Sequence, residues 1–180
     1  RSALDRQRGP SRGDDVRRID WSAYARLGEL VLRLYVAEED LTIHLLIDQS
    51  QSLAFGDPPR FEIAKKAAAA LGYVGLSGSE RVSVIPFAAG VSKPLPPGRG
   101  KRWVGRLMRF LDSLETSGET NLDRTVHQFL GRRPRPGLVV LVSDLLDPGG
   151  FEKPIDRLLG ERHEPVIIHV LDEELPSLEG

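Results

Sequence analysis

An α/β fold is predicted, with a doubly wound, mainly parallel sheet, helices on both faces and one short antiparallel edge strand. Three features carry that expectation. The runs at residues 41–47 and 138–142 are apolar on both alternating faces, the pattern of central strands covered from each side. Segments of helical periodicity separate the strand-like runs, as parallel crossovers require. Each of these two runs also stops abruptly at acidic or hydroxyl residues, and ligands of such sheets sit beyond the carboxyl ends of the strands.

In chain order, residues 1–28 are polar and densely charged and read as an arm laid on the domain, which is expected to run from residue 29 to residue 180. Within the arm Arg12-Gly13-Asp14 spells an adhesion tripeptide, but so short a match arises readily by chance. Residues 30–36 are rich in strand formers, and the charged turn Glu38-Glu39-Asp40 separates them from the central strand at 41–47. A helix is predicted over 60–76, just after Pro58-Pro59, with Ile63, Ala67, Ala70, Leu71 and Val74 as its apolar face. Residues 81–87 form the next strand. Ala89-Gly90 then turns into Val91-Ser92-Lys93, the expected antiparallel edge arm, closed by Pro94, Pro96 and Pro97. A second helix over about 101–114 presents Trp103, Leu107, Phe110, Leu111 and Leu114 as its buried stripe. A third helix at 122–130, the strand at 138–142, a helix near 151–159 and a strand at 166–171 complete the alternation.

Composition narrows the function. The 180 residues carry 25 Lys+Arg against 26 Asp+Glu, a formal net charge of −1, which argues against a whole-domain nucleic-acid binder. The chain has no cysteine, which excludes disulfides, cysteine-ligated zinc, iron–sulfur clusters and thiol catalysis. Its longest apolar runs are about five residues, far below the ~20 that span a bilayer, so no membrane span is expected in this stretch. The chain shows no signal-peptide pattern and lacks an initiator Met; it reads as a fragment of a longer protein, with a cytoplasmic location expected.

The residues that follow the apolar strands are the ones to read for chemistry. Asp48-Gln49-Ser50-Gln51-Ser52 follows the first central strand in the pattern D-x-S-x-S, Ser143-Asp144 follows the strand at 138–142, and Gly118-Glu119-Thr120-Asn121 lies in a turn between helices. Asp48, Ser50, Ser52, Thr120 and Asp144 offer two carboxylates and three hydroxyls, the oxygen donors that hard cations such as Mg²⁺ or Mn²⁺ prefer. Alternate residues of an extended loop point the same way, so Asp48, Ser50 and Ser52 can converge. With two charged donors the ion stays under-neutralised and favours an acidic group from outside. The competing reading is that Ser50 and Ser52 cap the following helix and Asp144 begins a turn.

These residues, with the segment from Gly13 to Trp21, Ala25-Arg26, Arg33, Glu38-Glu39 and Phe55-Gly56, give the chain a family resemblance. It resembles a von Willebrand factor type A domain with a metal-ion-dependent adhesion site, and more narrowly the bacterial proteins grouped as domain of unknown function 58. The likeness covers about residues 13–171. It implies that Asp48, Ser50, Ser52, Thr120 and Asp144 are the metal-site residues, the serines and threonine contacting the ion directly and the aspartates acting partly through water. It also implies a protein partner that presents an Asp or Glu, and work beside a MoxR-type AAA+ ATPase. Gln49 and Gln51 depart from the small residues usual in relatives.

Other chemistries fit less well. A haloacid-dehalogenase-like phosphohydrolase would use Asp48 as nucleophile and Ser143-Asp144-Leu145-Leu146-Asp147 as its last acidic motif, yet Ser50 stands where its general acid belongs. A P-loop fails because Arg102 follows Gly100-Lys101 and Leu95 replaces the first glycine. His44, His127, His163 and His169 lack metal-ligand spacing. Arg102, Arg106 and Arg109 lie along one helical face and read as a solvated surface beside Trp103, without the interleaved aromatics of a single-strand nucleic-acid binder. A binding domain rather than an enzyme is therefore expected, with a metal-free scaffold as the further alternative.

Overall fold

The structure, a computed structural model, describes residues 41–171. The arm at 1–28, the Arg12-Gly13-Asp14 tripeptide, the strand expected at 30–36 and the end of the expected domain lie outside the described residues.

Among the described residues five strands and four α-helices follow in the order β1 (Thr42–Asp48), α1 (Arg60–Ser77), β2 (Arg81–Phe87), β3 (Leu95–Arg99), α2 (Val104–Asp112), α3 (Leu122–Gly131), β4 (Leu138–Ser143), α4 (Glu152–Gly160) and β5 (Glu164–His169). Short 3₁₀ turns stand at Gln51–Ala54 and Lys101–Trp103. The sheet runs β3-β2-β1-β4-β5, with β3 antiparallel to β2 and every other pair parallel. This is the predicted class.

Strand alternation divides the core. Ile43, Leu45 and Ile47 of β1 join Val82, Val84, Val140 and Val142 under α1 and α2, whereas Leu46, Ile85, Phe87, Val139 and Leu141 pack under α3 and α4. Every residue of β1 is buried, which explains its lack of a polar face.

Three expectations need correction. The buried face of α1 is Phe61, Ala64, Ala68, Gly72, Gly75 and Leu76, while Ile63 and Val74 are exposed. Close approach decides it. A Cβ on Gly72 would stand 2.5 Å from Leu107 Cδ2, and one on Gly75 would stand 2.7 Å from Ile43 Cδ1, so these two positions of the face must be glycine. The edge strand is also not the arm at Val91-Ser92-Lys93. Val91 makes a single bridge to Phe87, and the strand proper is the proline-bearing β3. Pro96 and Pro97 are exposed there, tolerated because an outermost strand leaves one row of N–H groups unused. Gly98 of β3 lies under Trp103, whose ring a Cβ would penetrate. Arg106 stacks over that ring at 4.6 Å. The last strand, expected at 166–171, begins two residues earlier and ends at His169.

Candidate metal centre

β1 and β4 are adjacent and parallel, with Ile47 opposite Val142, so Asp48 and Ser143-Asp144 leave the sheet side by side. From β1 the chain crosses to β2, and from β4 to β5 on the other side. The loops after the two strands diverge and open a crevice at the point where strand order reverses.

The first loop is built around Asp48, which is fully buried. The Ser50 backbone N–H donates to Asp48 Oδ1 at 2.8 Å, and the Ser143 hydroxyl donates to Oδ2 at 2.6 Å. The same Ser143 oxygen accepts the Leu145 N–H at 3.0 Å, so it fixes both strand ends together. Burial pushes the Asp48 carboxyl above its ordinary range; the Ser143 and Ser50 hydrogen bonds oppose the shift, and the nearby charge of Asp144 adds to it. Ser50 Oγ lies 3.0 Å from Ser52 Oγ. Ser50 sits at the N-cap of the 3₁₀ turn but makes no side-chain cap, so its hydroxyl is not spent on capping. Gln49 turns away to donate to Ser92 Oγ at 2.8 Å. The Gln49 carbonyl accepts from Ser117 N and the Gln51 N–H donates to the Gly118 carbonyl, which ties this loop to the second one. The bulk of Gln49 thus leaves the two serines together.

The second loop turns at Gly118, whose φ of +66° suits glycine. Asn121 ends it by accepting the Arg124 N–H at 2.8 Å as the N-cap of α3. Thr120 between them shares with Ser50, Ser52 and Leu146 a cleft of about 270 Å³. Thr120 Oγ1 is buried and has no hydrogen-bond partner.

The third loop carries Asp144, which is 3% exposed. Its Oδ1 accepts the Leu146 N–H at 3.3 Å, the weak local turn contact that the competing reading anticipated. Its Oδ2 has no hydrogen-bond partner and faces Arg60 Nη1 at 3.7 Å. The other guanidinium nitrogen, Nη2, donates to the Ser52 carbonyl at 2.8 Å. Leu145 takes a left-handed φ of +57°, a conformation that costs a residue with a Cβ ~1–2 kcal/mol and turns the chain directly after Asp144. Asp147 is committed elsewhere, accepting from the N–H groups of Leu122 and Gly149, so it serves the start of α3.

Asp48, Ser50 and Ser52 are therefore linked directly, Thr120 joins the two serines in one cleft, and Asp144 reaches them through Arg60. Among the described residues no three His, Asp or Glu side chains gather into a metal-binding group, and hydroxyls make up most of this donor set. Such a set, with a buried hydroxyl and a buried carboxylate oxygen lacking partners, fits a hard divalent ion. Sequence reading passed over two further residues. Ser143 was legible as the last residue of β4 beside Asp144; Arg60 gave no signal, being one cation among many until α1 folds against the loop.

The model of the family described as "Protein of unknown function DUF58" matches residues 6–179. The chain belongs to this family. Uncharacterised proteins of Mycobacterium tuberculosis and Mycobacterium bovis are each 31% identical to it over 174 residues, covering 92% of this chain and 55% of their own length. The DUF58 chain thus spans about half the length of the curated relatives it matches. Among solved structures, BatB of Bacteroides thetaiotaomicron has a TM-score of 0.60 at 18% identity, over 72% of this chain and 66% of that one. A von Willebrand factor type A protein of Catenulispora acidiphila scores 0.51 at 14% identity, over 76% and 33%. Proximal thread matrix protein 1 of the mussel byssus, in a form with a zinc-occupied MIDAS motif, scores 0.56 at 17% identity, over 72% and 38%. The fold is von Willebrand A-like. Among the described residues no helix is long and apolar enough to cross a membrane.

Proposed function

We propose that this DUF58 domain binds protein partners through a divalent ion held by Asp48, Ser50, Ser52, Thr120 and Asp144. The reading is carried by two unsatisfied atoms: Thr120 Oγ1, in the cleft it shares with Ser50 and Ser52, and Asp144 Oδ2, which Arg60 links to the Ser52 carbonyl. A buried hydroxyl without a partner costs ~1–3 kcal/mol, and a bound cation would remove that cost. Bound Mg²⁺ or Mn²⁺ would supply a positive centre with room for one more oxygen. The protein's own part is to aim the hydroxyls, keep the Asp48 carboxylate fixed through Ser143, and hold the cleft open on the side of Gly118 and Leu146. Asp48 and Asp144 together carry at most two negative charges, and Arg60 returns one positive, so a divalent ion there keeps a net positive charge. An Asp or Glu from a partner is the complement. The zinc-occupied MIDAS of the mussel protein supports a metal in this fold.

The family resemblance supports a MoxR-type AAA+ ATPase as the partner, a cytoplasmic setting, and a domain that runs over 29–180 with 1–28 as its arm. A melting series with Mg²⁺ and Mn²⁺ tests the ion: a ligand of the folded state at a hundred times its Kd adds ~2.7 kcal/mol, which lifts Tm by several degrees. Binding to a purified MoxR-type ATPase, abolished by EDTA and by Asp144→Ala, tests the partner. An unchanged Tm at saturating metal, or ATPase binding indifferent to EDTA, overturns the corresponding part.

A further inference from the structure

Arg60 opens α1 and sends its guanidinium into the third loop's carboxylate. Its side chain is 17% exposed, that of Asp144 1%. The contact is loose in an informative way. Nη2 is engaged by the Ser52 carbonyl at 2.8 Å, but Nη1 stands 3.7 Å from Asp144 Oδ2, beyond hydrogen-bond range, and Nε is buried without a partner. Asp144 Oδ2 therefore feels a full positive charge while its lone pairs stay open. A buried carboxylate needs such a counter-charge to remain in the fold.

We propose that Arg60 is a tethered cation that competes with the divalent ion for Asp144 and so sets how tightly the ion is held. This rests on the metal reading above. The guanidinium neutralises Asp144 when no ion is bound, which lets the loops keep their arrangement without metal. An ion that reaches Asp144 meets the guanidinium's repulsion or must move it aside. The Ser52 carbonyl, which Arg60 grips with a separate nitrogen, keeps the displaced side chain close enough to return. A guanidinium 3.7 Å from a buried carboxylate oxygen repels an incoming cation with little solvent screening, so the effect on metal affinity is large enough to measure.

The test is Mn²⁺ titration calorimetry on the full 180-residue chain, with folding checked by circular dichroism. Arg60→Gln is expected to bind Mn²⁺ at least about tenfold tighter than the native protein, to melt lower without metal and to gain more in Tm when it is added. Arg60→Lys keeps the charge and is expected to stay within about threefold of the native affinity. A second readout uses the unaltered protein: diamagnetic Mg²⁺ should move the NMR resonance of the Arg60 Nε–H group. A folded Arg60→Gln that binds Mn²⁺ no more tightly, or an Arg60 resonance unmoved at saturating Mg²⁺, overturns the competition. If the native chain still binds Mn²⁺ and Asp144→Asn does not, the metal site survives that failure. Binding by Arg60→Gln but not by the native chain supports the competition in its strongest form. No binding by either overturns both.

Discussion

Two buried titratable side chains sit four residues apart on β1, His44 near one end of the sheet and Asp48 at the other. At the amino-terminal end His44 has both ring nitrogens partnered, while His163 Nδ1 and Arg81 Nε beside it are buried without partners. His44 Nε2 donates to the Arg135 carbonyl at 2.9 Å, which leaves Nδ1 to accept the Ser83 hydroxyl at 2.8 Å. The ring packs edge-on against Phe129 and His163, with centroids 5.2 and 5.7 Å away. At the carboxyl-terminal end Asp48 is just as well satisfied, but its neighbours Thr120 and Asp144 keep unpartnered oxygens. Cavity size points the wrong way. The cleft beside His44 is larger, about 400 Å³ against 270 Å³, yet its walls are mostly Ile85, Leu95, Phe129 and prolines. Both ends hold unpartnered polar atoms, so what marks the cation site is neither volume nor open valence alone but a set of oxygen donors.

The sharpest way to break this contrast is His44→Ala. It leaves the Ser83 hydroxyl and Arg135 carbonyl unpaired and opens a hole against Phe129, so denaturant unfolding should show a loss of ~2–4 kcal/mol. That loss should be the same with and without Mg²⁺. A metal-dependent loss would erase the distinction between the two ends.

Next in size is the pH response. Burial, with the charge of His163 adding and the Arg135 carbonyl opposing, holds the His44 ring below its ordinary pKa of 6.5. Burial does the same to His163. The unfolded chain therefore takes up the proton first. Stability is full above about pH 6.5 and falls below it, with a slope approaching ~1.4 kcal/mol per pH unit for each histidine. Asp48 acts with the opposite sign, because its raised pKa makes the folded chain the better proton acceptor as pH falls toward the carboxylate range. Measuring the profile in Asp48→Asn removes that opposition. A profile flat from pH 7 to pH 5 in that variant would contradict the account of His44.

Smaller still is the effect of Asp48→Asn at neutral pH. It replaces a buried charge with a neutral isostere that Ser143 can still meet, so the metal-free domain should gain ~1 kcal/mol, a few degrees in Tm, while the Mg²⁺-induced rise disappears. Thr120→Val is the mildest change. Removing a hydroxyl that has no partner should leave metal-free stability level or raised by at most ~1 kcal/mol, and should shrink the Mg²⁺ response. Destabilisation of the metal-free domain would mean the hydroxyl is already satisfied.

Much of the fold was legible because it rests on local pattern. The two-faced apolar runs of β1 and β4 announced a doubly covered sheet, and D-x-S-x-S at the end of β1 stood out because a buried strand seldom ends in such a cluster. The misread elements are those where contact overrides pattern. The α1 face was read from the spacing of Ile63, Ala67, Ala70, Leu71 and Val74, but α2 and the sheet admit only glycine at positions 72 and 75, which turns the helix so that Ile63 and Val74 are exposed. The edge was placed before the prolines that in fact form it, since proline's missing N–H matters only where a neighbour strand would use it.

The sequence by itself determined which chemistry is available here: periodicity laid down the alternation of strands and helices, and residue type made every donor an oxygen. Only the tertiary structure decided which of those oxygens are spent. Ser143 locks onto Asp48, Asp147 caps α3, and Arg60, remote from Asp144 along the chain, comes to face it. Whether a polar atom is satisfied depends on groups brought within about 3 Å by packing, and linear order does not contain that distance.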